Sequence, residues 1–121
     1  MKVCLVSCTR AKLPRRAKAR DLYDTPAFRR DREHAEREFD RWWVLSGKYG
    51  LLDPERVISP YDVSLNSMPR RQRRLWAVRV VEALLAETRR GDEITILANA
   101  RYREDLVPLL EEAGRVVLER A

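Results

Sequence analysis

The stretch Lys2-Val3-Cys4-Leu5-Val6-Ser7 contains four consecutive apolar residues between polar ends. A short apolar run of this kind is typical of a strand that is buried on both faces of a parallel sheet. Later runs of similar character predict further strands: Trp42-Trp43-Val44-Leu45, Ile94-Thr95-Ile96-Leu97 and Val116-Val117-Leu118. The sequence therefore predicts a sheet of four strands.

A long helix is predicted between the second and third strands. Asn66 or Ser67 should cap it, Pro69 lies near its start, and Gly91 stops it. Its apolar residues recur with the 3.6-residue period of an amphipathic helix. Those expected on or beside the inner face are Leu75, Trp76, Val78, Val80, Val81, Leu84 and Leu85.

Two further helices complete the alternation of strands and helices. Thr25 is a favourable N-cap and Pro26 fits a first turn, so one helix should run from there to about Phe39. Another should end at Gly114. The polar segment 8–20 and the stretch 51–66, which contains two prolines, are interpreted as irregular loops. The order predicts a single three-layer α/β/α domain over residues 1–121, with a short, mostly parallel four-stranded sheet.

The composition narrows the class of protein. A length of 121 residues and a hydrophobic fraction of 45% suit one folded domain. No apolar run approaches the roughly 18 residues needed to cross a bilayer, so we expect no membrane partner and a cytoplasmic location. The two cysteines, Cys4 and Cys8, are too few for a disulfide framework or a zinc cage. We expect no metal and no cofactor.

The chain is basic, with a formal net charge of +6, and all but four of its 25 basic residues are arginine. Arg70, Arg71, Arg73 and Arg74 crowd the start of the long helix, where the helix dipole disfavours positive charge. Together with Arg10 they are interpreted as contacts to a nucleic-acid backbone, DNA rather than RNA, or to a nucleotide. The alternative is that arginines pair with acidic neighbours on solvated helix faces.

The predicted sheet gives a location for a site. In open parallel sheets, ligands bind beyond the carboxyl ends of the strands. The segments 7–12, 46–50 and 98–102 each follow a predicted strand and should meet at one edge, with the long loop lying over them. The sequence therefore predicts a binding site at that edge.

Each of the first two segments carries polar or flexible residues suited to a ligand. Ser7, Cys8, Thr9 and Lys12 would hold a phosphate or another anion, although an ordinary polar loop is the alternative. No histidine is near Cys8 in sequence to activate its thiol, which disfavours Cys8 as a nucleophile. The second segment, Ser46-Gly47-Lys48-Tyr49-Gly50, combines backbone freedom, charge and an aromatic face, or else forms a tight turn with Tyr49 packed inward.

The third group of candidates includes the proposed catalytic residue. Asp62 follows Pro60-Tyr61, and a carboxylate beside an aromatic ring can orient water or stabilise an oxocarbenium-like centre. Tyr61 or Tyr49 would stack on a base, and Asn99 would read its hydrogen-bonding edge. The alternatives are that Asp62 and Asn99 cap local turns.

Four motifs together resemble a known family. They are Ser7-Cys8-Thr9 with Lys12, the pair Leu22-Tyr23, the stretch 42–52 and Pro60-Tyr61-Asp62. In this combination they resemble a small uncharacterised family of bacterial, archaeal and phage proteins. The chain departs from the pattern at Arg10, Gly47 and Asn99, where lysine, alanine and glycine are expected.

The resemblance extends further at the level of the fold. It implies a distant similarity to uracil-DNA-glycosylase-like domains and to the nucleobase-handling domain of archaeosine synthase. Peroxide-stress proteins that bind DNA share a similar Ser-x-x-Lys feature at a strand end. The leading hypothesis is a hydrolase of the DNA-glycosylase type that cleaves the N-glycosidic bond of a modified base. The alternatives are a non-catalytic basic DNA- or RNA-binding protein and a nucleotide-binding module that acts with a partner enzyme.

Overall fold

A computed structural model describes residues 1–118 of the chain. The strands are β1 (Lys2–Ser7), β2 (Ala17–Lys18), β3 (Arg41–Ser46), β4 (Gly50–Leu52), β5 (Val57–Ile58), β6 (Glu93–Leu97) and β7 (Val116–Leu118). The helices are α1 (Ala19–Leu22), α2 (Pro26–Glu38), α3 (Arg70–Glu87), α4 (Ala100–Arg103) and α5 (Leu106–Glu112). A 3₁₀ turn covers Leu65–Ser67.

The main sheet has five strands in the order β4-β3-β1-β6-β7. Strands β3, β1, β6 and β7 are parallel, whereas β4 runs antiparallel to β3. The expected α/β class and mostly parallel sheet are confirmed, but the predicted number of strands is wrong. The strand missed from this sheet is β4, which begins at Gly50, whose φ of 71° favours glycine. Strand β4 begins with a glycine and offers only two apolar residues, Leu51 and Leu52, which is too short a run to be distinguished from a loop. A separate two-stranded sheet of β2 and β5 was also missed, because both strands lie in segments interpreted as irregular loops.

Helices cover both faces of the sheet. Along β1, Val3 and Leu5 face one core and Cys4 and Val6 face the other, as the two-residue repeat of a strand requires. The first core is closed by residues of α3 and α5, and the second by residues of α1 and α2. The sheet is therefore buried on both sides, and its strand ends open toward loops.

The helices differ from the prediction at several boundaries. Thr25 caps α2 as expected, since its hydroxyl accepts the N–H of Phe28. Asn66 and Ser67 do not cap α3, because they lie in the separate 3₁₀ turn and Pro69 occupies the N-cap position. The helix predicted before Gly114 is two helices, α4 and α5, and the polar segment before Arg20 contains β2 and the start of α1.

The buried face of α3 is rotated relative to the predicted one. Leu75 and Val78 are exposed, although both were expected to face the core. The buried residues of this helix are Arg73, Trp76, Ala77, Val80, Val81 and Leu84. The apolar stripe of α3 is wider than the surface that packs against the sheet, so the sequence does not show which part of the stripe is buried. In the structure the buried part is the side that carries Trp76.

No helix among residues 1–118 is both long and apolar enough to cross a lipid bilayer.

Candidate functional site

A cleft of about 650 Å³ opens at the carboxyl ends of β1 and β6. A volume of several hundred cubic ångströms is typical of small-molecule sites. Its walls come from the loop after β1, from the segment 62–67, and from the start of α4. The lining residues are Ser7, Cys8, Thr9, Arg10, Lys12, Asp62, Val63, Ser64, Asn66, Ser67, Asn99 and Tyr102.

The hydroxyl groups of the first segment are turned toward their own backbone. Ser7 donates to the carbonyl of Cys8 at 3.0 Å, and Thr9 donates to the carbonyl of Ala11 at 3.1 Å. With its proton used in this way, each oxygen offers only lone pairs to a ligand. Positive charge for an anion therefore has to come from Arg10 and Lys12, which line the same cleft.

Lys12 lies in an aromatic enclosure. Its Nζ is 4.5 Å from the ring centroid of Tyr61 and 5.8 Å from that of Tyr23. The ammonium donates to the carbonyl of Arg10 at 3.2 Å. Burial lowers the pKa of Lys12 below the usual lysine value, and nearby Asp62 acts in the opposite direction.

Cys8 faces the cleft beside an aromatic hydroxyl. Its Sγ is 3.3 Å from the hydroxyl oxygen of Tyr102, which is 3% exposed. Burial raises the pKa of Tyr102, so this hydroxyl stays protonated at neutral pH. Cys8 and Tyr102 thus join the first and third predicted segments at the base of the cleft.

Two asparagine side chains connect segment 62–67, which we call the roof of the cleft, to the start of α4. Asn99 caps α4, because its Oδ1 accepts the N–H groups of Arg101 and Tyr102. Its Nδ2 donates to Oδ1 of Asn66 at 3.3 Å. Asn66 therefore keeps its own amide N–H groups for a ligand, whereas the oxygen of Asn99 is already used.

Three hydroxyl groups form a hydrogen-bonded series, the hydroxyl chain, that includes Tyr61, the residue before Asp62. The hydroxyl of Ser46 is 2.7 Å from that of Tyr61, which is 2.6 Å from that of Tyr23. Ser46 accepts the backbone N–H groups of Lys48 and Tyr49, so both its lone pairs are used and its proton goes to Tyr61. Asp62 follows Tyr61 in the sequence, so the hydrogen bonds that hold Tyr61 also fix the position of the Asp62 backbone.

Burial keeps the tyrosines of this hydroxyl chain neutral. It raises the pKa of both Tyr23 and Tyr61 above their usual value. The backbone carbonyl of Ser46 accepts a hydrogen bond from the indole N–H of Trp76 at 2.8 Å. The position of Tyr61 is therefore tied through Ser46 to the core face of α3.

The second predicted segment lies beside the cleft and not in it. Gly47, Lys48 and Tyr49 line a neighbouring depression of about 460 Å³ against α3. Tyr49 packs edge-on to Tyr61 with centroids 5.6 Å apart, and the face of Tyr61 is occupied by Lys12. The structure thus brings seven predicted residues into the cleft: Ser7, Cys8, Thr9, Arg10, Lys12, Asp62 and Asn99.

Gly47 has a structural role under the roof. A Cβ at this position would lie 3.0 Å from the carbonyl oxygen of Val63 and 3.2 Å from the backbone nitrogen of Leu65. Both neighbours are backbone atoms, so neither can rotate away. The absence of a side chain lets segment 62–67 cross closely over the end of β3.

The arginines at the start of α3 contact acidic residues of the next helical segment. Arg70 and Arg73 both form ion pairs with Glu104, and Arg73 is 6% exposed. Arg74 lies 4.0 Å from Asp105. Arg71 is exposed and has no ion pair with another residue of the described chain. Two carboxylates therefore compensate about half of the charge of these four arginines, and the ion pairs join α3 to the ends of α4 and α5.

Three residues that build the site were not selected from the sequence. Tyr23 is the buried end of the hydroxyl chain, Asn66 lies in the roof, and Tyr102 contacts Cys8. Tyr23 belongs to the Leu22-Tyr23 motif, and this motif was the one sequence feature that could have indicated its role. Asn66 and Tyr102 carried none, because one resembled a helix cap and the other a core position.

Within residues 1–118 no group of three or more histidine, cysteine, aspartate or glutamate side chains could hold a metal ion.

Comparison with known proteins places the chain in a family. No curated protein and no solved structure matches it. A family model matches residues 3–120, which is nearly the whole chain, and its description is "Family of unknown function (DUF6884)". The chain therefore belongs to this family of unknown function, DUF6884.

Proposed function

We propose that the chain cleaves the N-glycosidic bond of a modified base in a nucleic acid of the cytoplasm, with DNA preferred over RNA. The observation that carries this proposal is that Asp62 shares one cleft with Arg10 and Lys12. A carboxylate stabilises the positive charge that develops on the sugar as the bond breaks, and two cations hold the adjacent phosphate.

The other residues of the cleft suit the remaining parts of a nucleotide. The oxygens of Ser7 and Thr9 offer lone pairs to a base or sugar N–H or O–H group, and the amide of Asn66 offers donors. Extruding a nucleotide from a strand costs a few kcal/mol, least for a damaged or single-stranded base. A cleft of about 650 Å³ is in the range that holds one nucleotide.

The test uses a panel of oligonucleotides that carry modified bases, with mass spectrometry of the released base. Asp62→Asn should lower the rate at least about a hundredfold and leave substrate affinity within about threefold, because the amide keeps the shape but loses the charge. The matched control is Asp24→Asn, since Asp24 is exposed and pairs with Arg29 away from the cleft lining. Equal loss of binding and turnover in Asp62→Asn would contradict the proposal.

A second candidate is a nucleotide-binding module that acts with a partner enzyme. The observation that favours it over a polymer-binding protein is the pairing of Arg70, Arg73 and Arg74 with acidic residues. Saturable binding of mononucleotides, with no added affinity for longer strands and no base release, would identify this function.

A further inference from the structure

Three cationic side chains from separate segments lie against two tyrosine rings at the edge of the cleft. The Nζ atom of Lys12 is 4.5 Å from the ring centroid of Tyr61, and that of Lys48 is 6.0 Å from the same centroid. The Nζ atom of Lys48 is also 5.3 Å from the ring centroid of Tyr49, and the guanidinium carbon of Arg56 is 4.8 Å from that centroid. Lys48 therefore shares one ring with Lys12 and the other with Arg56. We call Lys12, Lys48 and Arg56 the cation row.

Each member of the cation row is held by the backbone of its own segment. Lys12 forms a β-bridge with the residue that follows α1. The N–H of Lys48 donates to the hydroxyl of Ser46 at 3.2 Å, and the carbonyl of Arg56 accepts the first N–H of α1 at 2.8 Å. The backbones that carry the three cations are therefore in place before a ligand arrives, which lowers the entropy that binding costs.

No carboxylate of residues 1–118 forms an ion pair with a member of the cation row. Glu55 precedes Arg56 in the sequence but pairs with Lys18 at 2.8 Å. Asp62 contributes electrostatically at Lys12 from beyond ion-pair distance. Like charges that are held near one ring repel each other. The row therefore carries surplus positive charge that an anionic ligand would neutralise.

The cation row leads out of the cleft. Lys12 lines the cleft, Lys48 lines the neighbouring depression beside α3, and Arg56 lies in the turn before β5. A mononucleotide in the cleft would leave Lys48 and Arg56 unneutralised, because neither residue belongs to the cleft lining. A nucleic-acid strand carries a phosphate at every nucleotide and can neutralise cations that follow one another along a surface.

We propose that the cation row binds the backbone of a single strand of nucleic acid, at the nucleotides next to the one whose base occupies the cleft. This inference rests on the function proposed above, because it locates the strand that carries the base, and it names a single strand as the substrate form. Proteins that bind single strands use a positively charged surface that follows the backbone over roughly 4–16 nucleotides.

The arrangement of charge favours one strand over a duplex. The row supplies cations along one path, whereas three of the arginines that begin α3 contact Glu104 or Asp105 and offer less to a second backbone. Because cations already lie over the rings of Tyr49 and Tyr61, the row offers contacts to phosphate more than to the faces of bases. Binding along the row should therefore depend little on the sequence that flanks the target base.

The first experiment measures affinity against strand length with the wild-type protein, so no variant has to fold. Thymidine 5′-monophosphate and oligothymidylates of two to eight nucleotides are titrated at low salt. Affinity should rise at least about tenfold from the mononucleotide to the tetranucleotide, because each added phosphate meets another cation. A mononucleotide that binds as tightly as the octamer would overturn the proposal. A duplex that binds more tightly than either of its separate strands would overturn the assignment to a single strand.

Variants then test the two members of the row that lie outside the cleft lining. Lys48→Gln and Arg56→Gln should each weaken binding of the hexamer by about three- to tenfold and lower the slope of log affinity against log salt by about 0.7. Each should change the affinity for the mononucleotide by less than about twofold. Lys2→Gln is the matched control, because Lys2 is exposed at the opposite end of β1. Equal losses in all three variants would indicate a diffuse positive field and overturn the proposal.

An acidic polypeptide tests whether any chain of negative charges is sufficient. Oligoglutamate with the same number of charges as the hexamer should bind at least about tenfold more weakly, because it has no nucleotide to place in the cleft beside the row. Equal affinity of the two ligands would overturn the assignment to nucleic acid. Lys48→Arg keeps the charge and should retain hexamer affinity within about twofold, which separates the loss of charge from damage to the fold.

The outcomes distinguish this inference from the function on which it rests. Base release from the oligonucleotide panel, with no dependence of affinity on strand length and no effect of Arg56→Gln, would overturn only the role of the cation row. Binding that grows with strand length and requires Lys48 and Arg56, without release of any base, would support the row and refute the glycosidic step.

Discussion

At the scale of single residues, Tyr61 is the side chain on which the most contacts of the site converge. Its hydroxyl bonds to Ser46 and Tyr23, its ring face holds the ammonium of Lys12, and its backbone leads directly into Asp62. These contacts join the end of β3, the end of α1 and the roof of the cleft. Tyr61 thus acts as a positioning residue for its neighbour.

We predict that Tyr61→Phe destabilises the protein by about 1–3 kcal/mol. The change leaves the proton of Ser46 and the buried hydroxyl of Tyr23 without their shared partner, and an unsatisfied buried polar group costs about that much. Tyr49→Phe is the control for stability, because the hydroxyl of Tyr49 makes no hydrogen bond within the described residues. Urea unfolding measures both, and an equal effect of the two changes would refute the role of the hydroxyl chain.

At the scale of elements, the roof segment 62–67 is held by backbone packing as much as by side chains. It crosses Gly47 so closely that a Cβ there would meet backbone atoms at 3.0 and 3.2 Å, and it connects to α4 through Asn66 and Asn99. The 3₁₀ turn within it places Leu65 in the core that α3 and α5 close. The roof is therefore an ordered part of the fold.

We predict that Gly47→Ala shifts the roof by a few tenths of an ångström and weakens ligand binding in the cleft by about two- to tenfold. The added Cβ would press on two backbone atoms, and overpacking of this kind costs about 1–3 kcal/mol. Gly91→Ala is the control, because it strains a positive φ of 87° far from the cleft lining but meets no atom within 4 Å. Both variants should unfold more easily, and only Gly47→Ala should lose affinity in a titration with a nucleotide. Similar affinities in the two would contradict this account.

The elements also show what the sequence could and could not predict. The sequence predicted four elements nearly to the residue: β1, β3, β6 and α2. Each of these strands is a short run of largely apolar residues, and the helix has a clear N-cap. Strand β4, the split between α4 and α5, and the start of α3 depend on contacts with distant parts of the chain. Gly47 was expected to let a ligand approach, and it lets the roof approach instead, since a glycine pattern does not say which neighbour comes close.

At the scale of the whole molecule, the excess positive charge is spread unevenly. Three of the four arginines that begin α3 contact Glu104 or Asp105, whereas Arg10 is exposed at the mouth of the cleft and has no ion pair within residues 1–118. The composition revealed the surplus of charge but not its distribution, because pairing depends on which helices lie side by side. The effective attraction for an anion should therefore centre on the cleft.

We predict that Arg10→Gln weakens binding of a phosphate-bearing ligand by about three- to thirtyfold at low salt and reduces the dependence of affinity on salt. Arg71→Gln is the matched control, since it removes a charge that is also exposed but lies outside the cleft lining, and it should change affinity less than about twofold. Equal effects of the two substitutions would indicate a diffuse field and favour the polymer-binding alternative.

The attachment of the roof at both ends has a consequence for how a ligand associates. Because Gly47 packs under one part of segment 62–67 and Asn99 bonds to another, the walls stand in place before anything enters. A preorganised cavity spares the entropy that a folding loop would lose on complex formation. The rate of association should then grow in proportion to ligand concentration without reaching a plateau, as for a simple one-step encounter.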